Sequence, residues 1–400
     1  MPSPTSQAEA ATVTHGTRIP AFNLARQYET IKDEVRVALE RVLSSQHFIG
    51  GPELERFEDE AARYLGLKAV VGCASGTDAL WLALQAVGVG EGDAVLTSPF
   101  SFFASGSSIA RCGAKPVFAD IDPVTLNLDP VASELGLKQS GESRIKAILP
   151  VHLFGHCADI SSFQKLEEAF GVAVVEDAAQ AFGARWGDRA AGGFGKAAAF
   201  SFYPTKNLSA YGDGGCVSTD DLELAAHLRR LRNHGSRERY YHEEFGWNSR
   251  LDAMQAAILR VKLRHLDFWN QQRRSIAARY TAEFESAGLT GTGNTTVDSQ
   301  APIAVLGIRP KAFHIFHQYV VRASRRDELR MFLSERGIGT EIYYPVPLHL
   351  QQAFLYLGYD KGAFPEAERA AEEVLALPIF PELTEEEQHR VVAAIVEFYA

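Results

Sequence analysis

At 400 residues the chain is long enough for a large buried core and for two or three domains. Apolar residues make up 46% and charged residues 22%, the balance of an ordinary globular chain. The formal charge of −10 gives no general basic field to hold nucleic acid or an anionic membrane, although a local ring of N–H groups and a few cations could still bind a small anion.

Residues 1–17 are rich in Ser, Thr, Ala and Pro but lack the basic start and apolar run of a secretory signal, and are expected to form a mobile tail. Helical periodicity over 53–65 leads into a short apolar strand over 68–72 and a second helix over 77–86. A strand at 94–97, a helix after Phe103 and strands at 116–120 and 145–151 follow. A helix over 160–170 and strands at 172–176, 198–202 and 215–218 complete the run. Several of these roughly seven strands are apolar throughout, which predicts an α/β fold with a mostly parallel sheet covered by helices on both faces. Ligands of such sheets sit at the carboxyl ends of the strands.

From Leu251, a helical repeat through Met254, Ile258, Val261 and Leu266 predicts a long helix between two domains. Residues 287–300, poor in large apolar side chains, read as a loop. A strand at 318–322 and helices at 325–336, 366–375 and 384–399 then make a smaller α/β domain. The expected division is a large domain over 18–250, a linking helix over 251–285 and a small domain over 286–400.

Cys73, Cys112, Cys157 and Cys216 lie far apart without metal-ligand spacing, as expected of buried thiols in a reducing compartment. No apolar run approaches the ~20 residues that span a bilayer. Together these features predict a cytoplasmic protein.

Four clusters at strand ends could carry chemistry. Ser75-Gly76-Thr77-Asp78 opens a helix whose N–H groups could cradle a phosphate, but the same residues also make an ordinary turn capped by Ser75 or Thr77. Glu176-Asp177-Ala178-Ala179-Gln180 places a carboxylate at a strand end, where it could keep a pyridine ring protonated or simply cap a helix. Ser201 to Lys206, followed by Gly212-Asp213-Gly214-Gly215, sets one lysine among aromatics and glycines. Desolvation there would lower the pKa of Lys206 and free its amine for imine formation, whereas a surface lysine would do nothing of the kind. Phe100, Phe102 and Phe103 offer a ring to stack on a flat cofactor, with core packing as the alternative for the others.

With these clusters in order, the chain resembles the sugar aminotransferases of the DegT/DnrJ/EryC1/StrS family, within the fold type I superfamily of pyridoxal-phosphate enzymes. Phe48-Ile49-Gly50-Gly51-Pro52, Val151-His152-Leu153-Phe154-Gly155, Asn248-Ser249-Arg250-Leu251-Asp252, Tyr343-Tyr344-Pro345 and Pro347-Leu348-His349 carry the resemblance beside the four clusters. It implies that Lys206 carries pyridoxal 5'-phosphate as a Schiff base and shuttles the proton. Asp177 would hold the pyridinium nitrogen, Gln180 the 3-hydroxyl side, Gly76, Thr77 and Ser201 the phosphate, and Phe102 would stack on the ring. Asn248 would reach the cofactor phosphate of a neighbouring subunit, which implies a homodimer, and it could also cap the helix that follows. Tyr344 and His349 are the candidate substrate contacts.

Two positions depart from the family pattern: His156 where glutamine is expected, and Ser209 where glycine is common. Of His152, His314, His317 and His349, at least two read as structural, and no metal is expected. The implied reaction takes an amino group from L-glutamate to a nucleotide-linked ketosugar, with C3 of a dTDP-linked 3-keto-6-deoxyhexose favoured over C4 amination or a cyclitol. Lys206 argues against the related dehydratases, which carry histidine there. A non-catalytic regulator would need a DNA-binding appendage that the sequence does not show.

Overall fold

The computed structural model describes residues 18–139, 144–291, 296–297 and 301–400. The expected tail lies outside the described residues, as do 292–295 and 298–300 of the expected loop.

The central sheet has seven strands: β1 Ala69–Cys73, β2 Asp93–Thr97, β3 Lys115–Phe118, β4 Arg144–Leu149, β5 Ala173–Asp177, β6 Ala197–Ser201 and β7 Gly215–Thr219. They lie side by side in the order β1-β7-β6-β5-β4-β2-β3. The pairings make every strand parallel to the rest except β7, which runs against both its neighbours. The apolar runs within these strands fit this sheet because both faces are covered. Val70, Val174, Ala198 and Phe200 point to one side, where Phe57 of α2 (Pro52–Leu65) and Phe163 of α6 (Ile160–Phe170) pack on them. Val71, Val175, Ala197 and Ala199 point to the other, against Leu80 and Leu84 of α3 (Gly76–Ala86), Ile109 of α4 (Phe103–Arg111) and Leu228 of α7 (Leu222–Leu231).

The second body is a three-stranded antiparallel sheet of β8 Ile303–Val305, β9 Tyr319–Ala323 and β10 Val374–Leu377. Leu329 and Leu333 of α9 (Arg326–Glu335) and Val391 and Ile395 of α11 (Glu385–Tyr399) share its core. α8 (Ala253–Ser286) joins the two bodies: Leu259 and Leu266 belong to the core of the large sheet, and Ile276, Tyr280 and Phe284 to that of the small one. Its start is fixed by Asp252, whose carboxylate accepts the Gln255 N–H at 2.8 Å.

Three elements differ from the sequence expectation. α1 (Leu24–Ser45), capped by Asn23, precedes the alternation and packs Ile31, Val35, Ala38 and Val42 on α8. α5 (Pro130–Gln139) lies between β3 and β4, where no helix was expected. α10 (Pro365–Glu373) stops short of 375, because Val374–Leu377 is fully buried beside β9 as a strand.

Candidate active site

The strand directions bring the four clusters to one end of the central sheet, where its parallel strands finish. The turn after β1 delivers Ser75, Gly76 and Thr77 at the start of α3, β5 ends on Asp177, and β6 ends on Ser201 just before Lys206. Asp177 lies opposite Ala199 in the pairing of β5 with β6, so the lysine leaving β6 falls beside the carboxylate leaving β5.

The first half of the site is a cradle for an anion. A Cβ on Gly76 would lie 2.5 Å from the Ser201 Cβ and 2.8 Å from its hydroxyl, so glycine alone permits this approach. Ser75 caps α3 by accepting the Asp78 N–H at 3.1 Å. The N–H groups of Gly76 and Thr77 therefore face outward at the positive end of the helix. Asp78 would repel an anion there, but its carboxylate accepts Arg111 Nη1 at 2.5 Å and the Ser249 hydroxyl at 2.7 Å. Its charge is answered before a ligand arrives.

The second half pairs an acid with an amine. Asp177 is 3% exposed; its Oδ2 accepts the Ser105 hydroxyl at 2.7 Å and its Oδ1 the Ala179 N–H at 3.2 Å. Ser101 continues this chain to Ser105 at 2.8 Å. Burial raises the Asp177 pKa against those hydrogen bonds and against the nearby Lys206. Burial pulls the Lys206 amine down to about 8, and the Asp177 carboxylate opposes that fall.

The rings sort themselves by packing. Phe100 is buried in the core, and Phe103 meets Phe354 at 5.3 Å between centroids. Phe102, at 57% exposure, meets Tyr344 at 6.2 Å and leaves a face available to a flat ligand. Gln180 spans from the loop after β5 to Tyr344: its Oε1 accepts the Phe154 N–H at 2.6 Å and its Nε2 donates to the Tyr344 hydroxyl at 3.0 Å. Asn248 stays exposed while Ser249 ties its segment to Asp78 at the start of α3.

A model of the DegT/DnrJ/EryC1/StrS aminotransferase family matches residues 29–396. The chain belongs to this family. It is 50% identical, over 95% of its length and 98% of the relative's, to a protein of Geobacillus stearothermophilus described as a pleiotropic regulatory protein. It is 44% identical, over 95% of its length and 96% of the relative's, to a dTDP-3-amino-3,4,6-trideoxy-alpha-D-glucose transaminase of Streptomyces venezuelae. The crystal structure of S. venezuelae DesV in complex with a ketimine intermediate superposes with a TM-score of 0.90 at 44% identity, covering 96% of this chain and 99% of that one. The fold is therefore that of the fold type I aminotransferases, and the enzyme is a pyridoxal-phosphate-dependent sugar aminotransferase.

As residues of a DegT/DnrJ/EryC1/StrS aminotransferase, the two halves have the chemistry that pyridoxal 5'-phosphate would need. The Gly76–Ser201 cradle suits its phosphate, Asp177 its ring nitrogen, Phe102 its face and Lys206 its aldehyde.

The histidines require a correction. His349 was expected to touch substrate, but its ring is fully buried edge-on to Phe364, and its Nε2 lies 3.0 Å from Glu368 Oε1. The same carboxylate accepts the Gly362 N–H, so His349 anchors the loop ahead of α10 instead. His156, which departs from the family pattern, is buried with its Nε2 accepting the Arg309 N–H at 3.0 Å, and burial pulls its pKa to about 4. His152 Nδ1 accepts the Ala158 N–H at 3.1 Å, which leaves the proton on Nε2 to bond Glu176 at 2.8 Å. His314 accepts the Phe316 N–H and stacks on that ring at 3.9 Å. His317 is buried close enough to Lys206 for that charge, after burial itself, to disfavour its protonation. Sequence reasoning assigned no role to Ser101, Ser105, Arg111 and Ser249, which support Asp177 and Asp78; Ser249 lay inside a quoted motif, but nothing there marked its hydroxyl. Among the described residues no group of three or more His, Cys, Asp or Glu could hold a metal, and no helix is long and apolar enough to cross a membrane.

Proposed function

We propose that this enzyme moves an amino group from L-glutamate to C3 of a dTDP-linked 3-keto-6-deoxyhexose, as a cytoplasmic homodimer. The observation that carries the reading is the pairing of Lys206, its pKa brought down to about 8, with the buried Asp177 at the ends of adjacent strands. The choice of a 3-keto sugar is supported by the S. venezuelae relative named for a 3-amino sugar.

Pyridoxal phosphate, when bound, supplies an aldehyde to capture amines and a ring to spread the electron pair left when a C–H bond breaks. The chain's own residues do the rest. The N–H groups of Gly76 and Thr77 and the Ser201 hydroxyl hold the phosphate, and Asp177 keeps a proton on the ring nitrogen. Lys206 would hold the cofactor at rest, and its amine, when free, would take the proton from the donor Cα and hand it back on the cofactor side. Tyr344, which accepts the Gln180 amide beside Phe102, would meet the substrate in this reading. In this reading residues 18–250 form the cofactor domain, 286–400 the small domain and 251–285 the helix between them.

Adding glutamate to the purified, cofactor-loaded protein tests the reading. The yellow absorbance of the Lys206-linked cofactor is expected to disappear as 2-oxoglutarate forms; a protein that lacks this absorbance, or keeps it in glutamate, overturns the assignment. Offering the aminated enzyme a panel of 3-keto and 4-keto nucleotide sugars and cyclitol ketones, with products read by mass spectrometry, then settles the acceptor.

The relative described as a pleiotropic regulatory protein favours a second reading, a non-catalytic regulator, which would need a surface that binds DNA. The formal charge of −10 opposes it. A gel-shift titration is expected to show no binding, and a salt-sensitive shift would support regulation.

A further inference from the structure

The segment that carries Lys206 rests on one face of α8, and it is held there at three points. Asn207 Nδ2 donates to the Phe182 carbonyl at 2.7 Å and to Asn270 Oδ1 at 3.2 Å. Lys262 Nζ donates to the Ser209 hydroxyl at 2.9 Å and lies 4.3 Å from the centre of the Tyr211 ring. The Tyr211 N–H donates to Gln255 Oε1 at 2.7 Å, and its carbonyl accepts Gln255 Nε2 at 3.3 Å. At about 100° per residue, positions 255, 262 and 270 fall within an arc of about 80° on the helix.

Lys262 is the unusual member. It is 1% exposed, and no carboxylate lies within ion-pairing distance among the described residues. Its partners are a hydroxyl and the face of an aromatic ring, which stabilise an ammonium far less than an acid would. Burial pulls its pKa down to about 7. A methionine of similar length would fill the same space without burying a charge. Ser209 matters equally, because glycine, common at this position in the family, has no hydroxyl to accept the ammonium proton.

We propose that Lys262 is a positioning residue for Lys206: with Ser209 and Tyr211 it fixes the backbone from which the reactive amine projects. The inference rests on the reading of Lys206 as the cofactor-bearing amine. Asn207 pins that backbone on the residue following the lysine, and Lys262 pins it two residues further on. Together they leave the Lys206 side chain as the free arm of a fixed loop. α8 also enters the core of the small body, so the clamp ties the amine's position to the helix that joins the two bodies.

The test uses the cofactor-loaded wild type, Lys262→Met, Ser209→Ala and the double variant. For each, the glutamate half-reaction is followed by the decay of the yellow absorbance. Lys262→Met is expected to slow the limiting rate about 10- to 100-fold, the range for a displaced catalytic group, while the half-saturating glutamate concentration moves less than about twofold. A smaller share of its bound cofactor will show the absorbance of the Lys206 link. Ser209→Ala is expected to lose about threefold or more in the same rate, and the double variant to add little to Lys262→Met, because the two side chains act as one unit. A merely structural lysine would lower the melting temperature and leave the rate per folded molecule and the linked fraction at wild-type values; that result overturns the proposal. Independent, multiplying effects of the two substitutions also overturn it. Should Lys262→Met fail to fold, Ser209→Ala decides alone, with a wild-type rate counting against the proposal. A wild type without the absorbance brings down the proposed function itself, and this inference with it.

Discussion

Lys206 and Asp177 each carry the mark of the other. Burial drives the amine down and the acid up, towards two neutral groups, and their mutual attraction resists both shifts. The amine at about 8 is far richer in its neutral, nucleophilic form near neutrality than a surface lysine. In cofactor-free protein, acylation of Lys206 by a short reagent pulse, read by peptide mass spectrometry, should therefore rise with pH to a midpoint near 8. Asp177→Asn removes the group that holds the amine up, so the midpoint should fall. A midpoint near that of ordinary lysines, or a rise in Asp177→Asn, would contradict the pairing. Lys206→Ala should slow proton transfer in the glutamate half-reaction by about 10²- to 10⁴-fold, the usual worth of a positioned general base. An added primary amine that restores part of the rate would show that the missing function is the amine itself; a rate unchanged by the substitution would assign the base elsewhere.

At the scale of elements, the last two residues of β5 divide their labour because successive side chains in a strand face opposite ways. Asp177 turns to the cleft. Glu176, fully buried, turns to the far side and accepts His152 Nε2 and the N–H groups of Gly192, Phe194 and Gly195 at 2.7–2.9 Å. Glu176→Gln replaces one acceptor oxygen by a donor among four donors, and is expected to cost about 1–3 kcal/mol. The urea midpoint should drop with an unchanged slope; an unmoved midpoint would mean that the loop over 192–195 finds other partners. The residues alone showed an acid pair at a strand end, and the family resemblance pointed to Asp177; which of the two turns away from the core of the large sheet depends on the twist and packing of the whole sheet. Helices with punctuation were readable: α6 ends at the glycine after Phe170, and α11 begins at a capping box of Thr384 and Glu387. β10 was not, because Val374–Leu377, buried on both sides, has no alternation to separate it from the end of a helix. Of the candidate site, the gathering of Gly76, Ser201, Asp177 and Lys206 at one end of the sheet was legible from the strand ends that carry them, while their roles towards a cofactor came from the family resemblance and remain part of the proposal. His349 misled because a buried histidine paired with Glu368 and a substrate-binding one leave the same letter in the sequence.

At the scale of the molecule, one chain leaves an apolar surface beside its own site uncovered. Tyr240, Tyr241, Phe245 and Trp247 are 78%, 69%, 93% and 40% exposed, on the segment that leads to the exposed Asn248. Aromatic rings concentrated so close to a site are the mark of a surface that another protein covers. A two-fold dimer would cover this surface on both subunits at once and could carry each Asn248 towards the other's phosphate cradle. Subunit mixing tests that geometry. A Lys206→Ala chain keeps its Asn248, and an Asn248→Ala chain keeps its Lys206, so each homodimer is defective at both of its sites. In a mixed dimer one site receives both defects and the other receives neither. Random pairing of equal amounts makes half the dimers mixed, so about a quarter of all sites should become intact. Co-folding the two chains is therefore expected to restore about a quarter of wild-type activity from two nearly inactive parents. If the mixture forms dimers, as mass measurement would show, and stays inactive, Asn248 serves its own chain's site and the shared-site proposal fails.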